Sequence, residues 1–290
     1  MRRFSSVVPL AALVLTGAAF SWMPSAGQGR SRPSALEAFN LRKAVGTQVA
    51  LPKGLLEVSG LAVTAEGRVI AHGDERAIIS ILDGPGGTVQ RWFSLGRPPM
   101  RGDFEGIATV GPRIFLMTSQ GILHEGREGA AEVAMPFTSK DTGFGAQCEL
   151  EGLAYDARAQ VLLLPCKTPL VPAGRGRVTV FRWSVSRAVP ADPPQLSVPL
   201  DGVTAHTGTK AFHPSAIDVD PVTGNYLLVA GPERAVLELT SRGEVVGGVS
   251  LPRKLHKQPE GIAFVGDSLL LIGDEGGTGR GTLTTYRRAR

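Results

Sequence analysis

Helical pattern is what this sequence has least of. Apart from an apolar run near its start and the short "ALEAF" (35–39), no segment carries a 3.6-residue period, so the chain reads as β throughout. Cysteine is scarce as well, with two copies in 290 residues, and no close His/Cys spacing is present to suggest a zinc site. No Gly-x-Ser-x-Gly elbow exists for a serine hydrolase. The glycine-rich stretches "GPGG" (84–87) and "GDEGGTGRG" (273–281) lack the Lys-Ser/Thr and the following helix of a phosphate-binding loop. The net charge is +5, yet no basic helix and no stacking-aromatic pattern accompany it. The charge therefore reads as a solvated basic surface, and no nucleic acid is expected as partner.

What is present is turn chemistry. Glycine and proline number 37 and 21 without a collagen-like period, which favours many short strands. The N-terminus carries a basic "MRR", an apolar "VVPLAALVLTGAAF" (7–20) and small residues in "PSAGQG", the pattern of a signal peptide over 1–27. Cleavage is expected near Ala26 or Gly27; retention as an anchor is the alternative, and only then is a membrane involved. No cysteine stands there for a lipid anchor. A spacer is expected over 28–40 and the folded domain over 41–290, in the periplasm or secreted. In that compartment Cys148 and Cys166 invite one disulfide; two buried thiols are the alternative. They flank a hairpin with strands near 149–155 and 161–166. Pairing Tyr155 with Val161 puts Leu150 opposite Cys166, so Cys148 needs a small register adjustment to reach it.

One phrase recurs five times: "EVSGLAV", "DFEGIAT", "ELEGLAY", "HPSAIDV" and "QPEGIAF". Their third residues, Ser59, Glu105, Glu151, Ser215 and Glu260, are spaced by 46, 46, 64 and 45 positions. Each phrase is followed by a turn and an apolar strand such as "RVIAHG", "RIFLMTS" or "NYLLVAG". Third strands follow, "AIISILD" and "AVLELTS" among them, and fourth strands close four units: "VQRWFSL", "AAEVAMPF", "QLSVPL" and "EVVGGVSL". Four antiparallel strands per period of about 45 residues specify an all-β, five-bladed β-propeller. The last unit lacks its fourth strand, and "KAVGTQVALP" (43–52) can supply it, closing the ring and removing the sheet edges. A sandwich or solenoid explains neither the period nor the complementary ends.

In such a ring the start of every innermost strand lies on one face, with the loops after second strands. That face collects Glu57, Asp103, Glu105, Glu149, Glu151 and Glu260, with Asp74, Glu75, Asp274 and Glu275. Carboxylates held together raise one another's pKa unless a cation joins them. Oxygen-only ligands suit a hard cation, Ca²⁺ before Mg²⁺, with Glu105, Glu151, Glu260, Glu57 and Asp274 as expected ligands. Backbone hydrogen bonds or arginine pairs that tie blades together are the alternative use of each glutamate. His206 and His213 fall in segments of the same face, His213 being the first candidate for a base.

The segments "QCELEGLAYDARAQVLLLPCKTP" and "PSAIDVDPVTGNYLLVAGPERAVLELTSRGEVVGGVSL…QPEGIAF" resemble the SdiA-regulated (YjiK-like) bacterial proteins over roughly 50–287. The resemblance implies an exported, calcium-binding five-bladed propeller akin to NHL-repeat proteins. It matches Glu105, Glu151 and Glu260 to the family's Glu-Gly glutamates and Lys167 to a basic residue after the third blade's second strand. Here Thr118-Ser119-Gln120 and Cys166 stand where the family often has acids, which moves the expected ligands toward Glu105, Glu151 and their neighbours. The function so implied is a monomeric module binding a small ligand or protein at the channel mouth. A metal-dependent hydrolase of lactonase, esterase or phytase-like type is the alternative, since phytase-like esterase domains share the Glu-Gly-Leu-Ala phrase.

Overall fold

The computed structural model describes residues 34–43 and 45–289. The expected signal segment and residues 28–33 of the expected spacer lie outside the described residues. Five antiparallel sheets follow one another along the chain, one per repeat, and form a five-bladed β-propeller. The innermost strands are Val58–Val63, Phe104–Val110, the interrupted pair Cys148–Leu150 and Ala154–Asp156, Pro214–Val219, and Pro259–Val265. These strands stand side by side around the axis.

Ring closure follows the complementary ends. Thr47–Ala50 pairs antiparallel with Thr282–Arg287, Val49 opposite Leu283, and so supplies the outermost strand of blade 5. The core is divided into five apolar clusters, each shared by neighbouring blades. The second strands are buried at consecutive positions because alternate side chains face the neighbouring blade on either side. Near the axis the backbones approach so closely that Gly106 and Gly152 have no room for a side chain. Gly152 has φ +82°, and a Cβ there would stand 2.8 Å from the Cα of Ala216. A Cβ on Gly106 would meet the carbonyl carbon of Gly152 at 2.7 Å.

Four local expectations differ from the structure. "AAEVAMPF" is not the fourth strand of blade 2. Its Ala134–Met135 joins the edge of blade 1 in parallel with Ser94 and Leu95, and Phe137–Asp141 closes blade 2 instead. The loop over 201–213 contains an α-helix, here α1, Leu200–Thr207, whose Val203 enters the core between blades 3 and 4. The end of the expected spacer is packed: Ala35, Leu36, Ala38 and Phe39 are buried, and the Glu238 carboxylate accepts from the backbone N of Ala35 (3.1 Å) and Leu36 (3.2 Å). Finally, the hairpin of blade 3 is shifted by one residue at its turn, with Asp156 opposite Val161. The break between the two segments, over 151–153, restores Leu150 opposite Cys166, and Cys148 and Cys166 are joined by a disulfide across a Cα separation of 5.6 Å.

Candidate functional site: the acidic channel mouth

The second half of each phrase is pinned by strand pairing; the glutamate at its front is not. Glu105, Glu151 and Glu260 each fall at an irregularity where the innermost strand slips against the second one or breaks off. Such a slip frees the side chain from the ladder and re-aims it. Blades 2, 3 and 5 thereby bring their glutamates toward one ammonium, that of Lys167 on the second strand of blade 3. Lys167 is bonded to the Glu151 carboxylate. The lysine side chain is 27% exposed and that of Glu151 only 5%.

Charge and burial conflict here. Burial, with the charges of Glu151 and Asp103 added, pushes the Glu105 carboxyl up to about 9. Burial also raises Glu151 to about 8, with Lys167 pulling it back and Glu260 adding to the rise. Glu260 is pushed up to about 7 by burial against the opposing pull of Lys167 and Ser215. Burial alone would lower the Lys167 ammonium, but its bond to Glu151 and the charges of Glu151, Glu260 and Glu105 hold it above its ordinary range. One fixed cation thus serves three carboxyls, with Asp103, Glu149 and Glu275 close enough to be felt by them or by Lys167's partners. The mouth is deficient in positive charge.

The remaining expected ligands are placed differently. Glu57 is exposed beside a cleft of about 200 Å³ that it shares with Asp74 and Glu75, and that Lys53 and Arg76 also line. Glu57 reaches the ring only through its repulsion of Glu275. Asp274 does not face the mouth. Its Oδ2 meets Nδ1 of His256 at 2.7 Å, and Nε2 of His256 meets the Tyr286 hydroxyl at 2.7 Å, all three being buried. Its other oxygen accepts from the backbone N of Gln258. Strand alternation explains this: Asp274 turns into the blade while the next residue, Glu275, turns out and bonds Gln258. Ser215, in the glutamate position of blade 4, donates to the Pro259 carbonyl at 2.8 Å and accepts from Gly231, so it ties blades 4 and 5.

His206 lies in α1 beside a surface cavity with Glu37 and Arg42, away from the ring. His213 is held by Glu233, which accepts from its backbone N at 3.0 Å and meets its Nδ1 at 2.7 Å. The sequence gives no signal for this pairing, or for that of His256 with Tyr286, because Glu233, His256 and Tyr286 lie outside the repeated phrase.

The donor set suits a hard cation, being carboxylate oxygen throughout. Among the described residues, however, no group of three or more His, Cys, Asp or Glu side chains is gathered closely enough to hold a metal ion. At the mouth the ammonium of Lys167 stands among the carboxyls instead.

Fold and site together define a five-bladed β-propeller with an acidic channel mouth. Comparison with known proteins reaches the fold and stops there. No protein-family model matches the chain, and no curated protein matches it. Among solved structures, the glutaminyl cyclase of Myxococcus xanthus is similar at 16% identity and a TM-score of 0.54, over 84% of this chain and 96% of that one. A streptogramin B lyase is 15% identical with a TM-score of 0.44, covering 84% of this chain and 73% of the other. The WD40 repeats of RRP9 give 10% identity and a TM-score of 0.48, over 83% and 97% of the two chains. At these identities the likeness is one of architecture.

Proposed function

We propose that this chain is an exported propeller of the SdiA-regulated type, a monomeric binding module whose channel mouth takes a cation, Ca²⁺ first, and through it a small ligand or protein partner. One observation carries the reading: Glu151 is bonded to Lys167, whose charge also reaches Glu105 and Glu260, and burial raises all three carboxyls despite that single ammonium. A structural tie between blades would need no such excess; Ser215 makes one with a hydroxyl. Glu105, Glu151 and Glu260 would hold the ion in competition with Lys167, and the ion would supply the missing charge. As they stand the carboxyls are too dispersed for coordination, so binding has to draw them together. The disulfide and the N-terminal apolar run support export.

Elemental analysis of the purified protein, with melting curves before and after chelation, tests this. Bound calcium and a lower Tm after chelation are expected. No bound metal and an unchanged Tm would overturn it.

The hydrolase reading gains one observation, the His213–Glu233 pair. A carboxylate on Nδ1 fixes the ring and leaves Nε2 to act as a base. If this reading holds, turnover on a lactone, ester or phosphoester panel with Ca²⁺ present falls at least tenfold in His213→Ala. Absence of turnover across the whole panel excludes it.

A further inference from the structure

At the opposite end of the channel the innermost strands finish in a cup of about 530 Å³. That lies within the ordinary range for small-molecule sites, roughly 300–1,000 Å³. Its wall is apolar and aromatic, with Leu61, Ile107, Leu153, Tyr155 and Phe264 contributed by four blades. No lysine or arginine lines it among the described residues. The position directly after the Ile or Leu of the phrase decides its character: Ala62, Ala108, Ala154 and Asp218 line the cup. Blades 1, 2 and 3 place a methyl group there and blade 4 places a carboxylate.

Asp218 has a structural duty. Its Oδ2 accepts from the backbone N of Phe264 at 2.7 Å and its Oδ1 from that of Val219 at 2.8 Å. An ionised carboxylate offers about four acceptor positions, so two are left. Linking blades at this level does not demand a charge: Thr109 donates its hydroxyl to the Val63 carbonyl at 2.6 Å. Burial pushes Asp218 up to about 7, with the two backbone N–H groups pulling it back and Asp220 adding slightly to the rise. Asp220 itself is paired with Arg288. A lone carboxylate in an apolar wall is the complement of one kind of molecule.

We propose that this cup is a second ligand site, separate from the acidic mouth, and that it takes a small primary amine with an apolar body. The ammonium pairs with Asp218, and the body packs against Leu153, Tyr155 and Phe264.

Calorimetric titration with benzylamine tests this, with benzyl alcohol as the neutral probe of the same shape. Benzylamine is expected to bind with one-to-one stoichiometry, at least tenfold tighter than benzyl alcohol. Asp218→Asn should erase that preference. Because this substitution also alters a link between blades, Val63→Trp provides a second variant: it fills the cup, leaves Asp218 in place, and should abolish benzylamine binding in a folded protein. Glu105→Gln at the far mouth should leave benzylamine binding unchanged. The proposal is overturned by no saturable benzylamine binding at millimolar concentration, by equal affinity for the alcohol, or by undiminished binding in Val63→Trp.

Discussion

Raising the pH should destabilise this protein through its channel mouth. A glutamate carboxyl ordinarily titrates near 4.5; in the folded chain Glu105 keeps its proton to about 9, Glu151 to about 8 and Glu260 to about 7. Between those limits the folded state binds more protons than the unfolded one. The stability contributed is therefore full below pH 4.5 and is lost as pH climbs through 7 to 9. Two other buried groups do not disturb the upper window. His72, held down to about 4 by burial, opposes the trend only below its ordinary 6.5. Asp218, near 7, adds to the trend at its lower edge. Keeping one proton against the surrounding pH is worth about 1.4 kcal/mol per pH unit. Glu105 contributes across the whole window, Glu151 across its first half, and Lys167 offsets part of both, which gives a loss of about 2–3 kcal/mol between pH 7 and 9. Urea unfolding followed by tryptophan fluorescence at pH 7, 8 and 9 measures it. Glu105→Gln, which cannot ionise, should remove at least half of the slope and leave the variant more stable than the parent at pH 9. Stability that is flat or rising over this window, or a Glu105→Gln slope equal to the parent's, would refute the reasoning.

Three further outcomes follow from the geometry. Replacing both Cys148 and Cys166 with serine opens a link of sequence separation 18 and should lower stability by about 3 kcal/mol, seen as a reduced urea midpoint. Asp274→Ala strips His256 and the backbone N of Gln258 of their buried acceptor; a loss of about 2–4 kcal/mol in the same assay, with cation binding at the mouth unchanged, separates Asp274 from the ring. Gly152→Ala adds a methyl group at φ +82° against Ala216 and should cost at least ~2 kcal/mol, read as a lowered Tm.

The repeated phrase made the ring legible in the sequence because every copy answers the same constraint. Small residues fit at the crowded axis, an Ile or Leu packs between blades, and turns return at a fixed period. The closing strand was legible for the same reason, since a missing fourth strand at one end met a spare strand at the other. Elements that serve one blade alone were not legible. α1 holds Gly202, Thr204 and Thr207 among eight residues and reads as loop; it is a helix because Val203 has an apolar hollow between blades to fill. Residues 130–137 read as the fourth strand of blade 2, yet the edge of blade 1 competes for Ala134 and Met135. In the site, Glu105, Glu151 and Glu260 could be placed on one face from spacing alone. The direction of Asp274 could not, because one residue of register decides whether it or Glu275 faces the mouth. The pairing of His213 with Glu233 joins residues 20 apart in the sequence that no pattern connects.

The central claim is that the mouth takes up a cation because its carboxyls lack positive charge. A bound divalent ion would ionise carboxyls that hold protons near neutral pH, so binding must release protons. Calorimetric titration of Ca²⁺ at pH 7.5 in two buffers of different ionisation enthalpy measures the affinity and the protons released together. The account predicts one saturable site with about one to two protons released per ion, abolished in the Glu105→Gln/Glu260→Gln double variant. No saturable heat, or heats that are identical in the two buffers, would contradict it.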